Sequence, residues 1–81
     1  MANDLLDLHG FIAEDVEATV DAFIMKVNLL KLKRARIMTG KGTGKVRQIV
    51  IEYLKRAGYP WEYERIPKGR HNEGVLVIFL D

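Results

Sequence analysis

Two segments of this chain space their apolar residues for an α-helix, and short runs of strand length lie before, between and after them. In residues 14–30, Val16, Val20, Phe23, Val27 and Leu30 follow at steps of four, three, four and three, the stripe of a helix with one buried face. Glu14, Asp15 and Glu17 crowd its first turn, where carboxylates meet the positive end of the helix dipole. Val46, Ile49, Val50, Tyr53, Leu54 and Ala57 make a second stripe. Thr43 is the expected N-cap of that helix, Gly58 its stop, and Pro60 forbids continuation. Residues 4–8, "DLLDL", read as a strand with Leu6 and Leu8 on one face and Asp7 and His9 on the other. "RARIM" (34–38) and the alternating "WEYERI" (61–66) read as two more strands. "PKGRHNEG" (67–74) reads as a loop, and "VLVIFL" (75–80), apolar on both faces, as an internal strand. The order β-α-β-α-β-β predicts an α/β fold: a two-layer sandwich in which two helices cover a four-stranded mixed sheet. One domain spans residues 1–81.

A chain of 81 residues buries only about 60% of its unfolded surface, so the core is thin. It has no cysteine, which removes disulfides and thiolate metal sites and suits a reducing compartment. The start "MANDLLDLHG" lacks the basic head and apolar run of a signal peptide. No stretch reaches the roughly 18 apolar residues of a membrane span. The expectation is a cytoplasmic protein with no membrane partner. Net charge is only +2, but residues 1–25 hold six acids and no Lys or Arg, while all thirteen bases fall in residues 26–81. Such asymmetry fits a basic face that meets a polyanion, or two surface halves that neutralise each other once folded.

Two strand–helix–strand units require the first three strands to run parallel. Their C-terminal ends then share one edge of the sheet, where open α/β sheets bind ligands. Three loops should converge there: the one at His9, the glycine loop after residue 38 and the hairpin loop of residues 67–74.

The glycine loop, "TGKGTGKVR" (39–47), feeds directly into a helix. Alternating Gly40, Gly42 and Gly44 permit left-handed turns and close backbone approach. The helix start adds N–H groups and a dipole that favour an anion, and Lys41, Lys45 and Arg47 add charge. A phosphate is the natural guest; a plain strand-to-helix turn is the alternative. Neither common nucleotide loop fits. The Gly-x4-Gly-Lys-Ser/Thr pattern fails from Gly40, where Lys45 and Val46 fall on the Gly-Lys positions. The Gly-x-Gly-x-x-Gly pattern ends on Lys45 or Arg47 instead of glycine.

His9 is placed for either structural hydrogen bonding or chemistry. Asp7, two residues earlier on the same face, can fix an imidazole tautomer. His71 reads as a solvated loop residue, and Tyr59, Trp61 and Tyr63 as packing aromatics. Two His and no Cys give no closed metal site. Asp7 with His9 can hold a divalent cation, Mg2+ or Mn2+, only loosely.

"LLDLHG" (5–10), the acidic amphipathic helix, "TGKGTGKVR" (39–47) and "NEGVLVIFL" (72–80) together resemble the Smr (small MutS-related) domain over nearly the whole chain. The resemblance implies a two-layer α/β fold similar to the C-terminal domain of a bacterial translation initiation factor. Many Smr domains are endonucleases that nick DNA, including branched DNA, or cleave RNA. They occur at the C-termini of MutS-like proteins and as stand-alone proteins, and this short chain is read as a stand-alone member. The family's Asp-x-His element corresponds to Asp7 and His9, and its glycine loop to Gly40, Lys41, Gly42 and Gly44. The chain departs from the pattern at Thr39, where many members carry His.

The reading that joins these features is a nucleic-acid endonuclease directed by shape and backbone. Gly40, Lys41, Gly42, Thr43, Gly44 and Lys45 cradle a phosphate, and Arg47, Lys68 and Arg70 hold the flanking backbone. His9 acts as general acid or base, oriented by Asp7. Alternatively, Asp7 and His9 hold a divalent ion that activates water. A DNA- or RNA-binding module without chemistry, or a protein–protein adaptor that keeps only the fold, are the rival readings.

Overall fold

A computed structural model describes residues 4–40, 44–67 and 69–80; for Arg70 and His71 the description extends to the backbone alone. The elements are β1 (Leu5–Asp7), α1 (Ala13–Leu29), β2 (Arg34–Met38), α2 (Lys45–Ala57), β3 (Trp61–Ile66) and β4 (Arg70–Phe79). The sheet order is β1-β2-β4-β3. β1 pairs parallel with β2, and β4 runs antiparallel to both β2 and β3. It follows that β1, β2 and β3 all point the same way, as the two strand–helix–strand units require.

Both helices pack on one face of the sheet. Leu8, Ala35, Ile37, Leu76 and Ile78 rise from the sheet into a core with Val16, Val20, Phe23, Ile24 and Val27 of α1 and Val50, Ile51 and Leu54 of α2. β4 is internal, with partners on both sides, which explains its unbroken apolar run. The other sheet face is open. It carries Arg34, Arg36, Glu62 and Glu64 around Val77 and Phe79, lining a depression of about 450 Å³. Arg36 spans this face, 3.4 Å from Glu64 and 4.0 Å from Asp4.

Four details differ from the sequence expectations. Leu30 is exposed, because α1 stops at Leu29 and the chain turns away from the core. The stop is a Schellman turn: Leu32 N–H donates to Val27 O and Lys31 N–H to Asn28 O, with Lys31 left-handed at φ 60°. Ile24 and Ile51, outside the stripes read from spacing, join the core, since a buried helix face is wider than one row of side chains. The N-cap of α2 is Gly44, at φ 82°, not Thr43, which lies outside the described residues. Finally, β4 begins at Arg70, not Val75, and the hairpin loop shrinks to residues 67–69. His71 is therefore a strand residue, its backbone opposite Arg65. Polar residues pair here through backbone groups, which do not depend on side-chain hydrophobicity. A register shift between Tyr63 and Glu64 lets the polar outer half of the hairpin twist away from the packed inner half.

The helices are tied to each other at their outer rims. Tyr53 of α2 donates to Asp21 of α1 at 2.5 Å, and Arg56 pairs with Glu17. Burial pushes the Tyr53 hydroxyl up to about 12, helped by its hydrogen bond to Asp21 and that carboxylate's charge. Among the described residues, no helix is long and apolar enough to cross a membrane.

Candidate functional site

The C-terminal ends of β1 and β2 lie side by side, with Asp7 opposite Met38. The pairing runs one step further: Leu8 N–H donates to Met38 O at 2.8 Å. His9 thus leaves β1 directly beside the point where Thr39 leaves β2. The Asp7 carboxylate is committed to this turn, because its Oδ1 accepts from the backbone N–H of His9 at 2.9 Å. That is an Asx turn, so the contact shown between the two residues runs to the main chain and not to the ring. Asp7, His9 and Gly10 are all exposed, and Phe11 N–H closes the turn on Leu8 O.

The start of the glycine loop is anchored to β4. The N–H groups of Thr39 and Gly40 both point at Gly74 O, at 2.8 and 3.2 Å. Thr39 is only 8% exposed, and its hydroxyl lies within hydrogen-bond distance of the carbonyls of Gly40 and Gly74. At the position where the sequence departs from the resemblance, this chain has a buried hydroxyl beside the main chain. Lys41, Gly42 and Thr43 lie outside the described residues.

The loop re-enters the structure at Gly44 and turns into α2. Gly44 is left-handed, with φ at +82°, so the backbone requires glycine there; a Cβ would also stand 2.9 Å from the end of the Arg47 side chain, which could swing aside. The helix start has no side-chain cap and no acid in its first turn; Lys45 and Arg47 stand there instead. Two cations at the positive end of a dipole work against helix stability. A helix start of this kind leaves its N–H groups and positive charge available to an anion.

Arg47 reaches across to the base of the β3–β4 hairpin. Its Nη1 lies 3.4 Å from Glu73 O and 3.8 Å from the Glu73 carboxylate. Asn72 Oδ1 accepts from Gly74 N–H at 2.9 Å, bracing the same strand. The hairpin projects past the level at which β1 and β2 end, since Met38 pairs with Val75 while Ile66 still pairs with Arg70. Lys68 lies outside the described residues, and of Arg70 the backbone position alone is described.

Three of the features that the sequence scatters therefore meet on one edge: the Asp7–His9 turn, the two ends of the glycine loop with Lys45 and Arg47, and the hairpin base. Sequence reading missed Thr39 as an anchor, Gly74 as the shared acceptor and Glu73 as the partner of Arg47. The first two are backbone roles with no side-chain signal. The pairing of Arg47 and Glu73 depends on a β4 that extends into the polar segment. Among the described residues, no group of three or more His, Cys, Asp or Glu gathers as metal donors. Asp7 and His9 alone offer at most two side-chain donors to a divalent cation, so any ion held there would need further oxygens from water and substrate.

The match to a family model decides the relationship: the model of the Smr domain covers residues 6–81. The chain belongs to the Smr domain family. It is 36% identical over 73 residues to Endonuclease MutS2 of Latilactobacillus sakei, covering 90% of this chain and 9% of that protein. It is 32% identical over 75 residues to Endonuclease MutS2 of Thermus thermophilus, covering 93% and 10%. The chain thus spans about a tenth of the length of these relatives. The crystal structure of the Smr domain of Thermus thermophilus MutS2 superposes with a TM-score of 0.81 at 31% identity, over 96% of this chain and 98% of that one. YdaL, a stand-alone small MutS-related protein from Escherichia coli, superposes with a TM-score of 0.83 at 20% identity, over 99% and 66%; this second likeness speaks to the fold alone. The site described above is therefore the strand-end edge of an Smr domain.

Proposed function

We propose that this Smr domain binds the backbone of DNA or RNA along the strand-end edge and cleaves a phosphodiester there. Membership of a family whose relatives include proteins named as endonucleases supports a nuclease-related role. The observation that carries the finer reading is the start of α2. An uncapped helix N-terminus bearing Lys45 and Arg47, entered through a left-handed Gly44, lies on the same sheet edge as the Asp7–His9 turn. Main-chain N–H groups and cations held in place before the substrate arrives stabilise charge that grows on a phosphorane-like transition state. His9 is the residue for proton transfer. Asp7 supports it by holding the turn through the His9 amide, so its contribution is to backbone placement. Lys41, Gly42, Thr43, Lys68 and Arg70 complete the proposed phosphate contacts. A divalent cation bound by Asp7 and His9 with the substrate phosphate is the alternative way to activate water.

The test is a nicking assay on supercoiled plasmid and on labelled single-stranded RNA, with Mg2+, Mn2+ or EDTA. Wild type should cut, and His9→Ala should lose cleavage while keeping most of its binding. Cleavage that survives EDTA assigns acid–base chemistry, and cleavage lost in EDTA assigns the cation. Normal cutting by His9→Ala would remove His9 from the mechanism. Absence of cutting together with salt-sensitive binding would leave the backbone-binding module as the function.

A further inference from the structure

α1 has two apolar faces, and only one of them is used by the fold. Val16, Val20, Phe23 and Val27 are buried against the sheet and α2. On the opposite side of the same helix, Ala18, Ala22, Met25 and Leu29 follow at steps of four, three and four, and all four are exposed. Met25 is 60% exposed and Leu29 82%. That spacing is the a/d seam of a helix that packs against another helix.

We propose that this seam pairs with α1 of a second copy of the chain, the two helices running antiparallel. Two properties of the seam select a second copy and that direction. The first is shape. The small residues lie in the N-terminal half and the large ones in the C-terminal half. A two-fold axis across the helix middle lays Leu29 over Ala18 of the second copy and Met25 over Ala22, twice over. A parallel pair would set Ala against Ala at one end and Leu against Leu at the other, leaving a gap where contact is needed.

The second property is charge. The start of α1 carries Glu14 and Asp15, while Lys26, Lys31 and Lys33 mark its far end; all five are exposed. Antiparallel pairing sets the acidic start of each helix beside the basic end of the other, and it also opposes the two helix dipoles. Parallel pairing would set acid beside acid. The interface is isologous, as a two-fold dimer requires. It lies on the side of α1 turned away from the sheet, so both strand-end edges stay open. One helix seam belongs to the small-interface class, below about 1,200 Å² of total buried surface, and the dimer should be weak and concentration-dependent.

Sedimentation of the 81-residue chain, from about 5 to about 500 µM, brackets the micromolar affinities of small interfaces. The weight-average mass of the wild type should climb from monomer towards dimer. Leu29→Asp and Met25→Asp should stay monomeric throughout, with unchanged circular dichroism and melting, because neither side chain is in the core. Asp15→Lys alone and Lys31→Asp alone should each weaken the dimer, and the double variant should restore it. A wild type that is monomeric at the highest concentration would overturn the proposal and leave the seam to a different protein. So would a dimer undiminished by Leu29→Asp. Single charge reversals that strengthen the dimer would overturn the antiparallel arrangement.

Discussion

The two helices of this domain begin and end in opposite ways. α1 starts with Glu14 and Asp15 in its first turn, as its dipole favours, and ends on Lys31 held left-handed. Neither helix start has a side-chain cap, but α2 starts on Lys45 and Arg47 with no acid, and it ends on a left-handed Gly58 whose N–H donates to Leu54 O. Each helix is locally well made at one end and poorly made at the other. The poor end of α1 costs stability and lies away from the strand-end edge, on the side where the helix seam is proposed to meet a second copy. The poor end of α2 opens on the strand-end edge beside His9. The difference teaches that a helix start lacking its acids is informative only where the topology delivers other chemistry to the same place.

Giving α2 the start that α1 has should break the comparison most strongly. Lys45→Glu places an acid in the first turn, and melting should hold or rise by about 0.3–1 kcal/mol equivalent. Affinity for a DNA or RNA oligonucleotide at low salt should fall about tenfold, and the slope of log affinity against log salt should shrink by about one. A filter-binding series across salt concentrations reads both. Equal affinity for the two proteins would detach the helix start from nucleic acid.

Giving α1 the end that α2 has is the next largest change. Lys31→Gly relieves a side chain in the left-handed region, and chemical denaturation should show a gain of about 0.5–1 kcal/mol. Unchanged stability would mean that the Schellman turn holds Lys31 without strain.

A smaller effect is expected at the hairpin. Glu73 lies 3.8 Å from the Arg47 guanidinium and offsets part of the charge a phosphate would meet. Glu73→Gln should raise nucleic-acid affinity about two- to threefold, as expected for relief of one exposed pair. A loss of affinity would instead make Glu73 a positioning residue for Arg47.

The smallest effect concerns the joint between the helices. The folded state holds the Tyr53 hydroxyl protonated up to about 12, against 10.0 for an unperturbed tyrosine. The raised value means the contribution is present below pH 10 and is lost as pH climbs towards 12. Stability of the wild type should decline across that window, and Tyr53→Phe should flatten the decline. An identical pH profile for both proteins would remove this coupling.

The architecture was legible because helical stripes and short strands leave few arrangements in so short a chain. Strands 34–38 and 61–66 coincide with β2 and β3, and Gly58 stops α2 where its chemistry says it should. What escaped the sequence lies where backbone groups decide. The outer half of β4 pairs through polar residues that read as loop, and Gly44 caps α2 by its conformation where Thr43 offered a side chain. The edge itself was legible from the parallel direction of three strands. The Thr39 anchor was not, because a threonine whose hydroxyl can donate to the carbonyl of Gly40 or Gly74 carries no signature in a sequence.

The most direct test is to titrate a short DNA or RNA oligonucleotide into isotope-labelled protein and follow every backbone amide. The account predicts the largest shifts at His9, Gly40, Gly44 to Gln48 and Gly74, with little change at Arg34 and Arg36 on the open sheet face. Shifts centred on Arg34 and Arg36, with the strand-end edge silent, would contradict it.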